Sequence, residues 1–114
     1  MILIKEDKLI TRISIIIPTL NESNNLPLLL SDLSEIKNIS EILIIDSTST
    51  DKTKDIALIN GARFYKINKN NRGLQLNYGA EKAKGEWLLF IHADSRLKFN
   101  WSRKHCRWSS FFIY

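Results

Sequence analysis

Four short, predominantly apolar runs recur along the chain, and a polar cluster follows each one. They occupy residues 13–17 (ISIII), 41–45 (EILII), 62–67 (ARFYKI) and 86–91 (EWLLFI). The first, second and fourth are nearly continuous and rich in branched residues, the pattern of strands covered on both faces. The third alternates, which suits a strand nearer a sheet edge. Pro18 is expected to stop the first strand and Asp46 the second.

The stretches between these runs carry a helical period. "NLPLLLSDLSEI" predicts a helix capped by Asn21 or Ser23, with Pro27 tolerable only in its first turn. "TDKTKDIALIN" places Ile56 and Ile59 on one face, with Thr50 or Asp51 as cap and Gly61 as stop. "RGLQLNYGAEKAKG" places Leu76, Ala80 and Ala83 on one face. Strand–helix repeated three times and closed by a fourth strand predicts a mostly parallel sheet between helices, a Rossmann-like three-layer α/β/α fold in spatial order 3-2-1-4. Such sheets bind ligands beyond the carboxyl ends of their strands.

The chain's 114 residues hold one domain. The net charge of +5 resides in the last stretch, where Arg96, Lys98, Arg103, Lys104 and Arg107 meet no acid. The body is therefore charge-balanced, which argues against a nucleic-acid partner. The single cysteine, Cys106, suits a reducing compartment, and the N-terminus lacks the apolar core of a signal peptide. The expected location is cytoplasmic.

Candidate chemistry sits after each strand. Asn21 and Glu22 follow the first; a cap and a dipole-matched acid explain them without function. Asp46 at the second tip has a carboxylate able to accept from a base or sugar. Arg72 and Gly73 open the third helix, where free N–H groups and a guanidinium suit phosphate. His92 and Asp94 follow the fourth strand; a hard divalent cation takes such ligands together with substrate phosphates. Each feature alone has an ordinary structural explanation. Their succession over four strand ends points to a nucleotide and a metal, and it requires Glu22, Asp46, Arg72 and Asp94 to converge around a shared hollow on one rim.

In "ISIIIPTLNE", "ILIIDSTSTDKT" and "NRGLQLNYGAEKAKGEWLLFIHADSRL" the chain resembles the N-terminal part of glycosyltransferase family 2, enzymes of the GT-A fold. The resemblance implies transfer of a sugar from a nucleoside-diphosphate sugar, with UDP the expected nucleotide, to an unassigned acceptor. It implies that Pro18, Thr19 and Glu22 line the nucleoside pocket, Asp46 receives the base and Arg72 approaches the diphosphate. Asp94, with His92 as a second candidate, would hold Mn²⁺ or Mg²⁺. Three features depart from the family pattern. His92 stands where the metal motif has its first Asp, and Ser47 where many members have a second Asp. Family members also continue for roughly another domain's worth of chain, which supplies the acceptor surface and catalytic base.

Residues 1–97 are accordingly expected to form the donor-binding part. Residues 98–114 are expected to be a basic, aromatic tail outside the fold, from a frameshift or early stop, or else a peripheral membrane or partner contact. The alternative function is a non-catalytic nucleotide-binding module. A phosphoacceptor signalling domain is a further rival, but it wants an acid after the third strand, where this chain has "NKNNR".

Overall fold

The apolar runs become the strands of one sheet. A computed structural model describes residues 12–97 and the backbone of Phe112–Ile113. In order these form β1 (Ile13–Thr19), α1 (Leu26–Leu33), β2 (Ile39–Asp46), α2 (Thr53–Ile59), β3 (Arg63–Lys66), α3 (Arg72–Lys82), β4 (Trp87–Phe90) and β5 (Phe112–Ile113). The sheet order is β3-β2-β1-β4-β5; the first four strands run parallel, and β5 is antiparallel to β4. The expected order 3-2-1-4 is present, with β3 at an edge. Of residues 98–114, expected to lie outside the fold, only the β5 backbone is described, and it pairs with β4. The remainder of that tail expectation lies outside the described residues.

Alternation along the central strands divides the core into two layers. Ile13, Ile15, Ile17, Ile44 and Leu89 face α1 and α2, where they meet Leu26, Leu29, Leu30, Leu33 and Ala57. Ile16, Leu43 and Ile45 face α3, with Leu76, Ala80 and Ala83 packed against them. The four buried leucines of α1 follow the i, i+3, i+4, i+7 stripe of an amphipathic helix. The three-layer α/β/α architecture follows from that division.

Local details depart from the sequence expectation. α1 starts after Asn25, which makes no side-chain cap, and neither Asn21 nor Ser23 caps it. Pro27 falls at the helix start, where its missing N–H has no partner to lose. In α2 the buried positions are Thr53 and Ala57, and Ile59 is 82% exposed. With only seven residues the helix offers the sheet a narrow face, and Ile59 falls outside it. Gly61 (φ +79°) ends α2 as expected, with Ala62 N–H bonded to Ala57 O and Gly61 N–H to Leu58 O. That double bond is the left-handed stop that favours glycine. Gly79 serves another purpose. A Cβ there would lie 2.5 Å from Ile16 Cγ2, so α3 sits closer to β1 than any other residue would permit.

β1 runs through Pro18 to Thr19 rather than stopping at the proline. The reason lies in the hydrogen-bond ladder. Ile16 O accepts from Ile91 N–H on the β4 side, and Thr19 O accepts from Ser47 N–H on the β2 side. By alternation the Pro18 nitrogen faces β4. The β1–β4 pairing has ended by then, at Ile16 opposite Phe90. Proline therefore costs no bond, and it sits where the two strands part.

Candidate functional site

The carboxyl ends of β1–β4 lie along one edge of the sheet, and every candidate residue lies at the end of one of them or after it. Thr19 and Asp46 are register partners at the tips of β1 and β2 and are each 2% exposed. The Thr19 hydroxyl donates to Asp46 Oδ1 at 2.7 Å. Ser49 adds two bonds to the same carboxylate, from its N–H to Oδ2 at 2.7 Å and from its hydroxyl to Oδ1 at 2.5 Å. Asp46 is thus a buried acceptor for three protein donors.

Two loops are laced together above this pair. Asn21, in left-handed backbone (φ +53°), donates its N–H to Ser49 Oγ at 2.7 Å and accepts from Thr50 N–H through Oδ1 at 2.8 Å. Thr48 also has positive φ (+55°), uncommon for a β-branched residue. Glu22 N–H donates to Thr53 Oγ1, and its half-buried carboxylate accepts from Asn25 Nδ2. Asp51 accepts from Ser23 N–H and from both the N–H and hydroxyl of Thr53. Desolvation pushes the Asp51 carboxyl up, but the hydrogen bonds from Thr53 and Ser23 outweigh it and hold the pKa down at about 2. Asp51 is therefore the residue that receives the start of α2, although the helix itself begins two positions later.

Sequence reasoning missed Gln75. Its side chain is 4% exposed, and Nε2 donates to Thr19 O at 3.1 Å and to Ile45 O at 2.8 Å. Two carbonyl acceptors fix which end of the amide faces them. From α3 it joins the tips of β1 and β2 directly behind the Thr19–Asp46 pair. Its place one turn into an otherwise amphipathic helix was the one available signal. Ser47, which stands where many family members have a second Asp, is 1% exposed and turns its hydroxyl to Lys69 O, so it ties down the loop before α3.

Arg72 is exposed at the first turn of α3. Asn71 caps that helix by accepting from Leu74 N–H at 3.0 Å. The N–H groups of Arg72 and Gly73 make no hydrogen bond among the described residues, so the positive end of the helix dipole stays open. His92 and Asp94 are exposed on a tight turn closed by Ser95 N–H to His92 O at 3.0 Å. Among the described residues no three His, Cys, Asp or Glu side chains group together. Two exposed donors on one turn still fit Mg²⁺ or Mn²⁺, which takes one or two protein ligands and fills its remaining positions from phosphates and water.

Of the hollows along this edge, two border candidate residues, and they lie on opposite faces of the sheet. One of about 570 Å³ lies on the α3 face, lined by Pro18, Gly73, Leu76, Asn77, Phe90 and His92 among others. The other, of about 350 Å³, lies on the α2 face and is bordered by Asp46, Ser49, Lys54, Leu58, Phe64 and Lys66. Pro18 and His92 thus share one hollow, and Asp46 borders the other. The shared hollow expected for Glu22, Asp46, Arg72 and Asp94 is therefore not formed by either: Glu22, Arg72 and Asp94 share the edge but line neither. No helix among the described residues is long and apolar enough to cross a membrane.

Comparison with known proteins gives a consistent result. The model for "Glycosyl transferase family 2" matches residues 14–108. The 4,4'-diaponeurosporenoate glycosyltransferase of Staphylococcus haemolyticus is 34% identical over 100 residues, covering 82% of this chain and 27% of that protein. Among solved structures, S. aureus TarS superposes with a TM-score of 0.73 at 22% identity, covering 83% of this chain and 31% of that one. Glucosyl-3-phosphoglycerate synthase from Mycobacterium tuberculosis in complex with UDP superposes with a TM-score of 0.63 at 25% identity, covering 78% and 35%. That synthase has also been solved with Mn²⁺, UDP and glucosyl-3-phosphoglycerate. The chain thus spans about a quarter to a third of the length of these relatives.

Proposed function

Since the chain belongs to glycosyl transferase family 2, we propose that it forms the donor-binding part of an enzyme that transfers a sugar from a nucleoside-diphosphate sugar, with UDP as the nucleotide. The supporting observation is the single edge on which four parallel strands end, each followed by a polar group suited to part of such a donor. Residues 1–97 carry this role.

The nucleoside lies at the tips of β1 and β2, beside Pro18, Thr19, Glu22 and Asp46. Asp46 already accepts three hydrogen bonds. It therefore offers one remaining carboxylate lone pair to a base N–H and holds the walls of the pocket with the rest. Arg72 and the open N–H groups at the start of α3 take the diphosphate, where a helix N-terminus favours anions. Asp94 and His92 would hold Mn²⁺ or Mg²⁺ against the same diphosphate. When bound, that cation supplies charge stabilisation as the diphosphate leaves. The chain's own groups orient the donor and fix the direction in which the diphosphate departs.

Isothermal titration of the 114-residue chain with UDP, UDP-glucose and GDP-mannose, each with Mn²⁺, tests this reading. Saturable uptake of the uridine ligands that weakens on Asp94→Ala supports it. Uptake unaffected by both Asp94→Ala and Arg72→Ala, or none for any ligand, removes it.

A further inference from the structure

The turn that carries His92 and Asp94 is held from two sides. On its N-terminal side Ile91 N–H bonds to Ile16 O in β1 at 3.1 Å. On its C-terminal side Asp32 of α1 receives three hydrogen bonds. Asp32 Oδ2 accepts from Arg96 Nε at 2.8 Å and from Leu97 N–H at 2.9 Å, and Oδ1 accepts from Arg96 Nη2 at 3.1 Å. Ile91, Ala93 and Leu97 are buried in the layer beneath α1, and His92 and Asp94 alternate with them outward. The segment therefore has a seated inner side and a presented outer side.

We infer that Asp32 is a positioning residue for the Asp94 turn: its paired grip on Arg96 and on the Leu97 N–H sets where the carboxylate of Asp94 stands relative to the diphosphate. This rests on the donor-site reading above. A two-pronged guanidinium–carboxylate pair fixes direction as well as distance, which a lone ammonium does not. Arg96 is largely exposed, so the pair adds little to stability, and positioning is the better account of the three bonds that Asp32 accepts. The same grip turns Arg96 toward α1 and away from any phosphate bound at the edge.

Electron paramagnetic resonance of Mn²⁺ added to the full chain, with and without UDP, provides the test. Wild type is expected to immobilise Mn²⁺ when UDP is present. Asp32→Ala and Arg96→Gln are each expected to weaken that uptake about tenfold, the low end for groups that orient a metal ligand. The thermal unfolding midpoint should barely change in Arg96→Gln and fall modestly in Asp32→Ala, which also strips the Leu97 N–H of its acceptor. The reciprocal exchange, Asp32→Arg with Arg96→Asp, should recover only the part carried by the ion pair, because arginine has no acceptor for the Leu97 N–H. Uptake unchanged in both single variants overturns the inference and leaves the donor site standing. Tighter uptake in Asp32→Ala overturns it too, because a released Arg96 would then be reaching the phosphates itself. Failure of the exchange to restore that part also counts against it. If wild type takes up no Mn²⁺ with UDP, the donor-site reading fails, and the inference with it.

Discussion

Single side chains decide how the edge is built, and Gln75 shows it most directly. It lies 56 residues from Thr19 in sequence and bonds its carbonyl. Gln75→Leu keeps the bulk but leaves Thr19 O short of a donor and Ile45 O without this one. Thr19 O keeps its bond from Ser47 N–H, so each bond lost is worth about 0.5–1.5 kcal/mol, to be read from urea unfolding. Gln75→Glu should cost at least as much, since an ionised carboxylate would face two carbonyl oxygens. Asp46, by contrast, was legible from the sequence as a strand-tip carboxylate, although its three protein donors were not. Thr19 reaches it from the tip of β1, 27 residues away, and local pattern does not report that pairing; Ser49 reaches it from the turn that follows β2. The same holds for Glu41 at the opposite end of the sheet. Burial pushes its carboxyl up, yet Lys84 N–H, the Ser14 hydroxyl and Arg63 together hold it below the usual range.

At the level of elements, hydrophobic period located every strand and helix among residues 12–97 to within a few positions. It failed where an end depends on a neighbour. β1 continues past Pro18 because β4 has already left; α1 begins without a side-chain cap, its Asn25 amide donating to Glu22 while Asn21 is laced to the β2–α2 loop. That lacing has a pH signature. Asp51 titrates at about 2 in the folded chain against an ordinary 3.8. A folded value below the unfolded one adds stability that is complete above the unfolded value and disappears as pH falls through the folded one. Urea midpoints should therefore drop between about pH 4 and pH 2, and Asp51→Asn should flatten that drop. Some slope should persist, because hydrogen bonding from Arg96 and Leu97 holds Asp32 low as well. A variant with the full wild-type slope would show that Asp51 does not govern the loops.

Across the whole molecule, continuous apolar runs and the preference of βαβ units for one handedness were enough to order four strands. They were silent on β5, whose two residues carry no period to read. They were also silent on the two hollows, since which face a strand-tip residue serves depends on one-residue alternation beyond the last paired position. Stability concentrates in the central strand pair. Ile15 is fully buried in the layer under α1 and α2. Ile15→Ala should cost about 2–4 kcal/mol, within the range for emptying a core position. Against the roughly 5–15 kcal/mol typical of a domain, calorimetry should show the transition shift sharply downward. The ring nitrogen of Pro18 has a quieter consequence. Zipping β1 to β4 any further would need a hydrogen at an atom that carries none, so the notch between them is guaranteed by covalent chemistry. Neither cooling, nor crowding, nor an empty binding edge can heal it shut.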